Sequence, residues 1–233
     1  NGELIHLDTL QQTITQGEVR ISKTDDRKLS YDSRQEKNEK SGKVVYNEIE
    51  IPRGGEFDLV LADGTQVWLN AESRLRYPVE FSGKERKVVL EGEAYFQVAR
   101  QTGKHKFTVE SKLMTVVVHG TIFNMKSYAR DTVAETSLIE GEVLVESAND
   151  DSKIVLLPGQ KAIVEKNNHK MVVKETNSIM DGIWRNNMVP FQNATVQDIA
   201  KVLEDLYHVK IEVRKDIDLE HTYSGTIEKK QEL

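Results

Sequence analysis

From Val44 to about residue 175, apolar and polar residues alternate one by one, and this alternation constrains the chain more than any other feature. Phe57, Leu59 and Leu61 form one such set. Val67 with Leu69, Val88 with Leu90, Phe107 with Val109, Val116 with Val118, Val143 with Val145 and Ile154 with Leu156 form others. Tyr95 or Phe96 with Val98, then Ile163 or Val164, then Met171 or Val172, extend the pattern. A period of two means half-buried strands, because successive side chains point to opposite faces. Glycine punctuates the runs: Gly55, Gly64, Gly92, Gly120, Gly141 and Gly159 each stand just before one. Asp63-Gly64, Glu91-Gly92, Glu140-Gly141 and Pro158-Gly159 read as turns, where glycine takes positive φ without a Cβ penalty. The spacing is uneven, so a strict repeat is not supported. The expected fold is mainly β, a stacked antiparallel roll or solenoid-like sandwich.

The ends differ from this middle. Leu4–Leu7 and Val19–Ile21 are short strand-like runs. Between Ser22 and Lys43 the chain turns polar, and Arg20–Lys43 carries eight basic and five acidic side chains, which reads as a solvated loop or long hairpin tip. Past residue 180, Val189–Phe191 reads as a strand. Thr195-Val-Gln-Asp198 opens a helix close to a capping box. Ile199, Val202, Leu203, Leu206 and Tyr207 line one face of that helix. Lys210–Val213 reads as a second strand and His221–Ile227 as a third, giving a βαβ unit with an added strand. Three regions are expected: 1–43, a β domain over 44–178, and a small, apparently incomplete α+β domain over 179–233. Asp181–Asn187, with Trp184, is the expected junction.

Composition narrows the function. With 233 residues the chain can bury a core without cross-links. It has no cysteine, which excludes zinc–thiolate sites, a cysteine nucleophile and thiol redox chemistry. Its charges sum as 32 − 38 = −6, a poor balance for neutralising phosphates. The longest apolar runs, Met114–Val118 and Ile154–Leu157, are strand-sized, against the ~20 residues a bilayer span needs. A membrane anchor would have to lie outside this chain, which starts at Asn1 without a signal pattern and reads as part of something longer.

Catalytic and metal chemistry finds little footing. His6, His105, His119, His169, His208 and His221 make no i, i+4 pair and match no ligand spacing. There is no Gly-x-Ser-x-Gly elbow or Ser-x-x-Lys helix start, and the glycines lead into strands, not phosphate-binding helices. Glu91/Glu93 and Glu140/Glu142 are carboxylate pairs of the sort a glycosidase could use, but strand faces carry charge by default. Trp68 could stack a ligand, and inter-sheet packing is the favoured reading. The residues alone reach a β-rich domain plus a small α/β domain, suited to interaction, with no catalytic residues and no cofactor.

Ile51-Pro-Arg-Gly-Gly-Glu-Phe-Asp-Leu-Val-Leu-Ala-Asp-Gly-Thr-Gln-Val-Trp-Leu-Asn-Ala-Glu-Ser-Arg-Leu-Arg-Tyr-Pro78 resembles the FecR family of anti-sigma regulators. So do Arg86–Val98, Lys106–Val109, Val118–Met125, Leu138–Val145 and Leu157–Gln160, in the family's order. Trp184, Phe191 and Val196–Tyr207 resemble the small domain that follows in Bacteroidota members, similar to the secretin/TonB short N-terminal fold, with only its first half present. Residues 1–43 then correspond to the variable, membrane-proximal segment. The resemblance implies a single-pass inner-membrane protein with this chain in the periplasm. It would sense the signalling domain of a TonB-dependent outer-membrane transporter carrying an iron chelate or a glycan. A missing cytoplasmic part would hold an extracytoplasmic-function sigma factor. A strand edge of the small domain would meet the partner, either Lys210, Ile211, Glu212 and Val213 or Tyr223–Ile227 with Tyr223, Gly225 and Ile227. Trp184 and Tyr207 would join the two domains. The rival reading is a secreted glycan-binding β module without catalysis.

Overall fold

The computed structural model describes residues 14–16, 19–25, 28–33, 44–81, 85–103, 105–207, 209–214 and 220–229. The first strands are β1 (Ile14–Gln16), β2 (Val19–Asp25), β3 (Lys28–Ser33), β4 (Tyr46–Glu50), β5 (Phe57–Val60), β6 (Gln66–Leu69) and β7 (Arg74–Pro78). Then come β8 (Glu85–Gln97), β9 (Lys106–Glu110), β10 (Met114–Val118), β11 (Ile122–Ser127) and β12 (Val133–Glu140). The β domain closes with β13 (Val143–Ser147), β14 (Lys153–Leu156), β15 (Gln160–Glu165) and β16 (Met171–Glu175). A short helix α1 (Ser178–Asp181) and a 3-10 turn (Ile183–Asn186) lead into β17 (Met188–Thr195), α2 (Val196–Tyr207) and β18 (Thr222–Glu228).

Two layers face each other. One runs β1-β2-β3-β5-β6-β8-β11-β12-β15-β16, the other β4-β7-β8-β9-β10-β13-β14. They share β8. Its first half pairs with β9 in parallel and with β7, and its second half, from Gly92, pairs with β11 and β6. Most pairings are antiparallel, with β3–β5 and β8–β9 the parallel ones. The alternating residues of the sequence supply the core: Leu59, Val67, Leu69, Leu90, Phe96, Val109, Val116, Phe123 and Val145 are all essentially inaccessible. Phe96 stacks on Phe123 with centroids 5.0 Å apart and meets Phe107 of the opposite layer at 6.2 Å. Each such side chain contributes about 1.5–3 kcal/mol by leaving water.

The mainly β expectation therefore holds, with three local corrections. Glu91-Gly92 is not a turn. It lies inside one 13-residue strand, at the corner where β8 passes from one layer to the other. Gly92 has φ of +115°, and a Cβ there would stand 2.5 Å from Ser73 Cα. The polar stretch after Ser22 is not all loop, because β2 continues to Asp25 and β3 follows. Val19, Ile21, Leu29 and Tyr31 enter the same core as the rest. Tyr31 is buried because its hydroxyl hydrogen-bonds that of Tyr77 at 2.8 Å and accepts from Asn47 at 2.9 Å. Residues 1–13, which include Leu4–Leu7 and His6, and residues 34–43 lie outside the described residues, as does His208.

The third correction falls on Lys210, Ile211, Glu212 and Val213, which form no strand ladder among the described residues. The partner of β17 is β18, antiparallel, with Val189 opposite Ile227 and Phe191 opposite Gly225. The small unit is thus an antiparallel pair flanked by a helix, not a parallel βαβ crossover. Ile211 instead donates its N–H to the Glu204 carboxylate at 2.7 Å. The expected helix start is present: Thr195 Oγ1 accepts from the Asp198 N–H at 3.2 Å, and the Asp198 carboxylate accepts from the Thr195 N–H at 2.9 Å. The Thr195 hydroxyl, which donates to the same carboxylate at 2.6 Å, and the Thr195 N–H hold the Asp198 carboxyl below its usual value.

Candidate functional site

The layer that ends in β16 turns one face to the core and the other outward. The outward face of β6, β8, β11, β12 and β15 carries Trp68, Asn70, Glu93, Tyr95, Asn124, Glu135 and Lys161. Residues 178–187 lie across it as a strap that joins the two parts of the chain. Its first anchor is ionic. Lys161 lies 2.7 Å from Asp181 of the strap and 3.3 Å from Glu135 beneath it. Burial alone would lower the Lys161 ammonium, but these two carboxylates outweigh it and hold the proton more tightly than usual.

The second anchor is close packing. Gly182 lies flat on the Tyr95 ring, where a Cβ would come within 2.5 Å of two ring carbons. The third is a buried polar chain. Trp184 Nε1 donates to Asn124 Oδ1 at 3.2 Å, Asn124 Nδ2 donates to Glu93 Oε1 at 2.9 Å, and Asn70 Nδ2 donates to Glu93 Oε2 at 2.9 Å. Burial pushes the Glu93 carboxyl above its ordinary value, against the pull of Lys126 and the two amides. The fourth anchor is Arg185. Its guanidinium sits 4.0 Å from the Tyr95 ring centre and 5.3 Å from that of Trp68, and the two rings meet edge to face at 5.6 Å.

The strap also holds the end of the small unit. The Lys229 N–H, one residue past β18, donates to the Asn187 carbonyl at 2.6 Å. Its ammonium pairs with Glu56, just before β5, and reaches the Trp184 carbonyl at 3.5 Å. Both ends of that ion pair are largely buried, at 16% and 17% exposed. Trp184 therefore joins the two parts as expected, while Tyr207 ends α2 and is half-buried. The acidic and basic anchors around Glu93, Lys161 and Lys229 escape sequence reading because their partners are 20 or more residues away.

β18 is the other notable surface. All seven of its residues are exposed, Tyr223 by 45% and Ile227 by 37%. On one side it pairs with β17, and among the described residues its other edge is unpaired. Tyr223, Gly225 and Ile227 lie together on one face of that open edge, and Lys210, Ile211, Glu212 and Val213 lie apart from any ladder.

The other residues picked out from sequence find ordinary partners. Glu91 is exposed opposite Arg74, in a different layer from Glu93, so the two do not form a pair. Exposed Glu140 lies 3.8 Å from Arg100. Trp68 is neither between the layers nor open to a ligand, since Tyr95 and Arg185 occupy it from the outward side. His169 hydrogen-bonds Asn149, and His221 meets the Tyr223 ring at 4.9 Å. Among the described residues no group of three His, Asp or Glu side chains could hold a metal ion, and no helix is long and apolar enough to cross a membrane.

The strap thus joins a two-layered β body to a small α/β unit. The FecR protein family profile matches residues 47–144, and the FecR C-terminal profile matches residues 188–233. A crystal structure at 1.65 Å of a candidate anti-sigma factor from Parabacteroides distasonis ATCC 8503 is 31% identical, with a TM-score of 0.67 over 79% of this chain and 86% of that one. A second structure of such a protein from the same organism, at 2.50 Å, gives 30% identity and a TM-score of 0.67 over 80% and 86%. No curated protein matches significantly. The chain belongs to the FecR family of anti-sigma factors.

Proposed function

We propose that this chain is the periplasmic sensor region of a membrane-anchored anti-sigma factor, relaying the occupancy of a TonB-dependent outer-membrane transporter to an extracytoplasmic-function sigma factor. The family membership supports a sigma-regulating role, and the open edge of β18 is the observation that carries the partner side. A strand edge offers a row of N–H and C=O groups to an incoming strand, with side-chain pockets to select it. Tyr223, Gly225 and Ile227 would meet the transporter's signalling domain. Lys210, Ile211, Glu212 and Val213 would flank that contact without pairing in it. The strap then supplies the route onward, because Lys229 links the end of β18 to Trp184 and Glu56. A partner that binds one arrangement of this link better than another shifts the balance between them.

Calorimetry of the chain against the isolated signalling domain of the transporter encoded beside it tests the reading. Binding that weakens about tenfold or more in Tyr223→Ala or Ile227→Ala is expected, since apolar strand contacts of this kind are worth about 1–2 kcal/mol each. No heat and no complex, with both proteins folded, would sink the transporter reading.

A further inference from the structure

Among the described residues nothing crowds Gly225, which pairs with Phe191 at the edge of the β17 bulge. It is absent from the glycines with positive φ, and a Cβ built on it meets nothing within 4 Å. Glycine in mid-strand costs stability, and it is tolerated where a second backbone comes close. The seven residues of β18, Thr222–Glu228, place Gly225 at their midpoint. Laid antiparallel against itself about that point, the strand sets Tyr223 against Ile227 twice, on one face. Aromatic and β-branched residues make favourable cross-strand pairs. The same register sets Ser224 against Thr226 twice, and nothing bulky falls on the axis.

The hydrogen-bonding groups agree. Pro190 stands opposite Thr226 in the β17–β18 pair. Proline in a sheet keeps its nitrogen on the solvent side of an edge strand, so Pro190 and Thr226 form a non-hydrogen-bonded pair. Thr226 therefore turns its N–H and C=O to the open edge, and Ser224, two residues away, does the same. Around the axis, Ser224 and Thr226 become hydrogen-bonded partners between copies. Gly225 faces Gly225 across the narrower non-hydrogen-bonded site, where Cα atoms approach to about 4.5 Å.

We infer that β18 pairs with β18 of a second copy of this chain, in a two-fold antiparallel contact centred on Gly225. The contact rests on the edge used in the proposed function, so self-pairing and partner binding exclude each other. A seven-residue strand buries well under the roughly 1,200 Å² of a stable interface, which makes the dimer weak and displaceable. Self-pairing thus covers the edge until a partner strand takes it.

The test uses the full chain, in which the absence of cysteine makes a single introduced thiol unambiguous. Sedimentation equilibrium should show a reversible dimer below about 0.5 mM, a dissociation constant that corresponds to roughly 4–5 kcal/mol. Gly225→Cys should form a disulfide-linked dimer on mild oxidation, since the expected Cα separation lies within the range of about 4.4–6.8 Å that a disulfide spans. A control thiol at exposed Asn149→Cys should not cross-link at a comparable rate. Thr226→Pro removes the outward N–H and should abolish both the dimer and, in the double variant, the cross-link. Ile227→Asp leaves the backbone intact, sets a charge against the second copy's Tyr223 and should weaken the dimer at least tenfold. A chain that stays monomeric throughout, or a dimer indifferent to both substitutions, overturns the inference. Partner binding without any dimer would overturn it while leaving the proposed function standing. A dimer without partner binding would do the reverse.

Discussion

Glu93 illustrates what a single side chain does in this molecule. Its two carboxyl oxygens each accept an amide N–H, from Asn124 and from Asn70, beneath the strap. The Asn124 amide cannot turn over without losing Trp184 from its oxygen. Burial raises the Glu93 value in the folded chain above the ordinary 4.5. The folded state therefore holds this proton more tightly than the unfolded state. The resulting stability is fully present below 4.5 and is lost as pH rises through the folded value. Glu93→Gln should erase that slope in denaturant unfolding followed across pH. It should also cost about 1–3 kcal/mol, because its NH2 group faces a donor. Parallel pH curves for the two chains would refute this assignment. Nothing in the sequence singles out Glu93 over Glu91. The distinction arises only when Gly92 turns β8 from one layer into the other and sends the two carboxylates to different sheets.

At the scale of elements, the strap is held by contacts that act together: an ion pair, a glycine on a ring, an indole hydrogen bond and a guanidinium over two aromatics. Gly182→Ala should lift it, since the added methyl overlaps the Tyr95 ring. The expected result is faster amide hydrogen exchange over residues 178–187 and a red shift of Trp184 emission. The loss should be about 1–3 kcal/mol and local, with the sandwich core still protected. Unchanged exchange in the strap would show that it is not held at Gly182. The elements themselves were largely legible: strands with one buried face declare themselves by alternation, as Phe57–Leu61 and Val143–Val145 do. Lys210–Val213 alternates equally well and yet forms no ladder among the described residues, because alternation reports a strand's faces and not who pairs with its edges. β3 was hidden for the opposite reason. Its two inward residues, Leu29 and Tyr31, stand in a polar, charged stretch of sequence, and the Tyr31–Tyr77 contact spans 46 residues.

For the whole molecule, the decisive feature is that one strand belongs to both layers. Gly92→Ala strains the φ of +115° and drives a methyl into Ser73, whose Oγ accepts from the Glu93 N–H at 2.8 Å and donates to the Glu93 carbonyl at 3.0 Å. The cost should be about 2–4 kcal/mol, from combined backbone strain and overlap. Because both layers hang on β8, unfolding should remain one cooperative transition, seen at the same denaturant concentration by tryptophan emission and by far-ultraviolet dichroism. Two separated transitions would show that the layers fold independently. The shared strand also says how this chain can change over evolutionary time. Loops such as those at Asn149 and Asn168 can lengthen without consequence to the core. A single residue gained or lost within Glu85–Gln97, however, would invert the order of inward and outward side chains along the rest of that strand. β8 is thus a fixed ruler for the rest of the molecule, and its thirteen-residue length should drift far less than the connections around it.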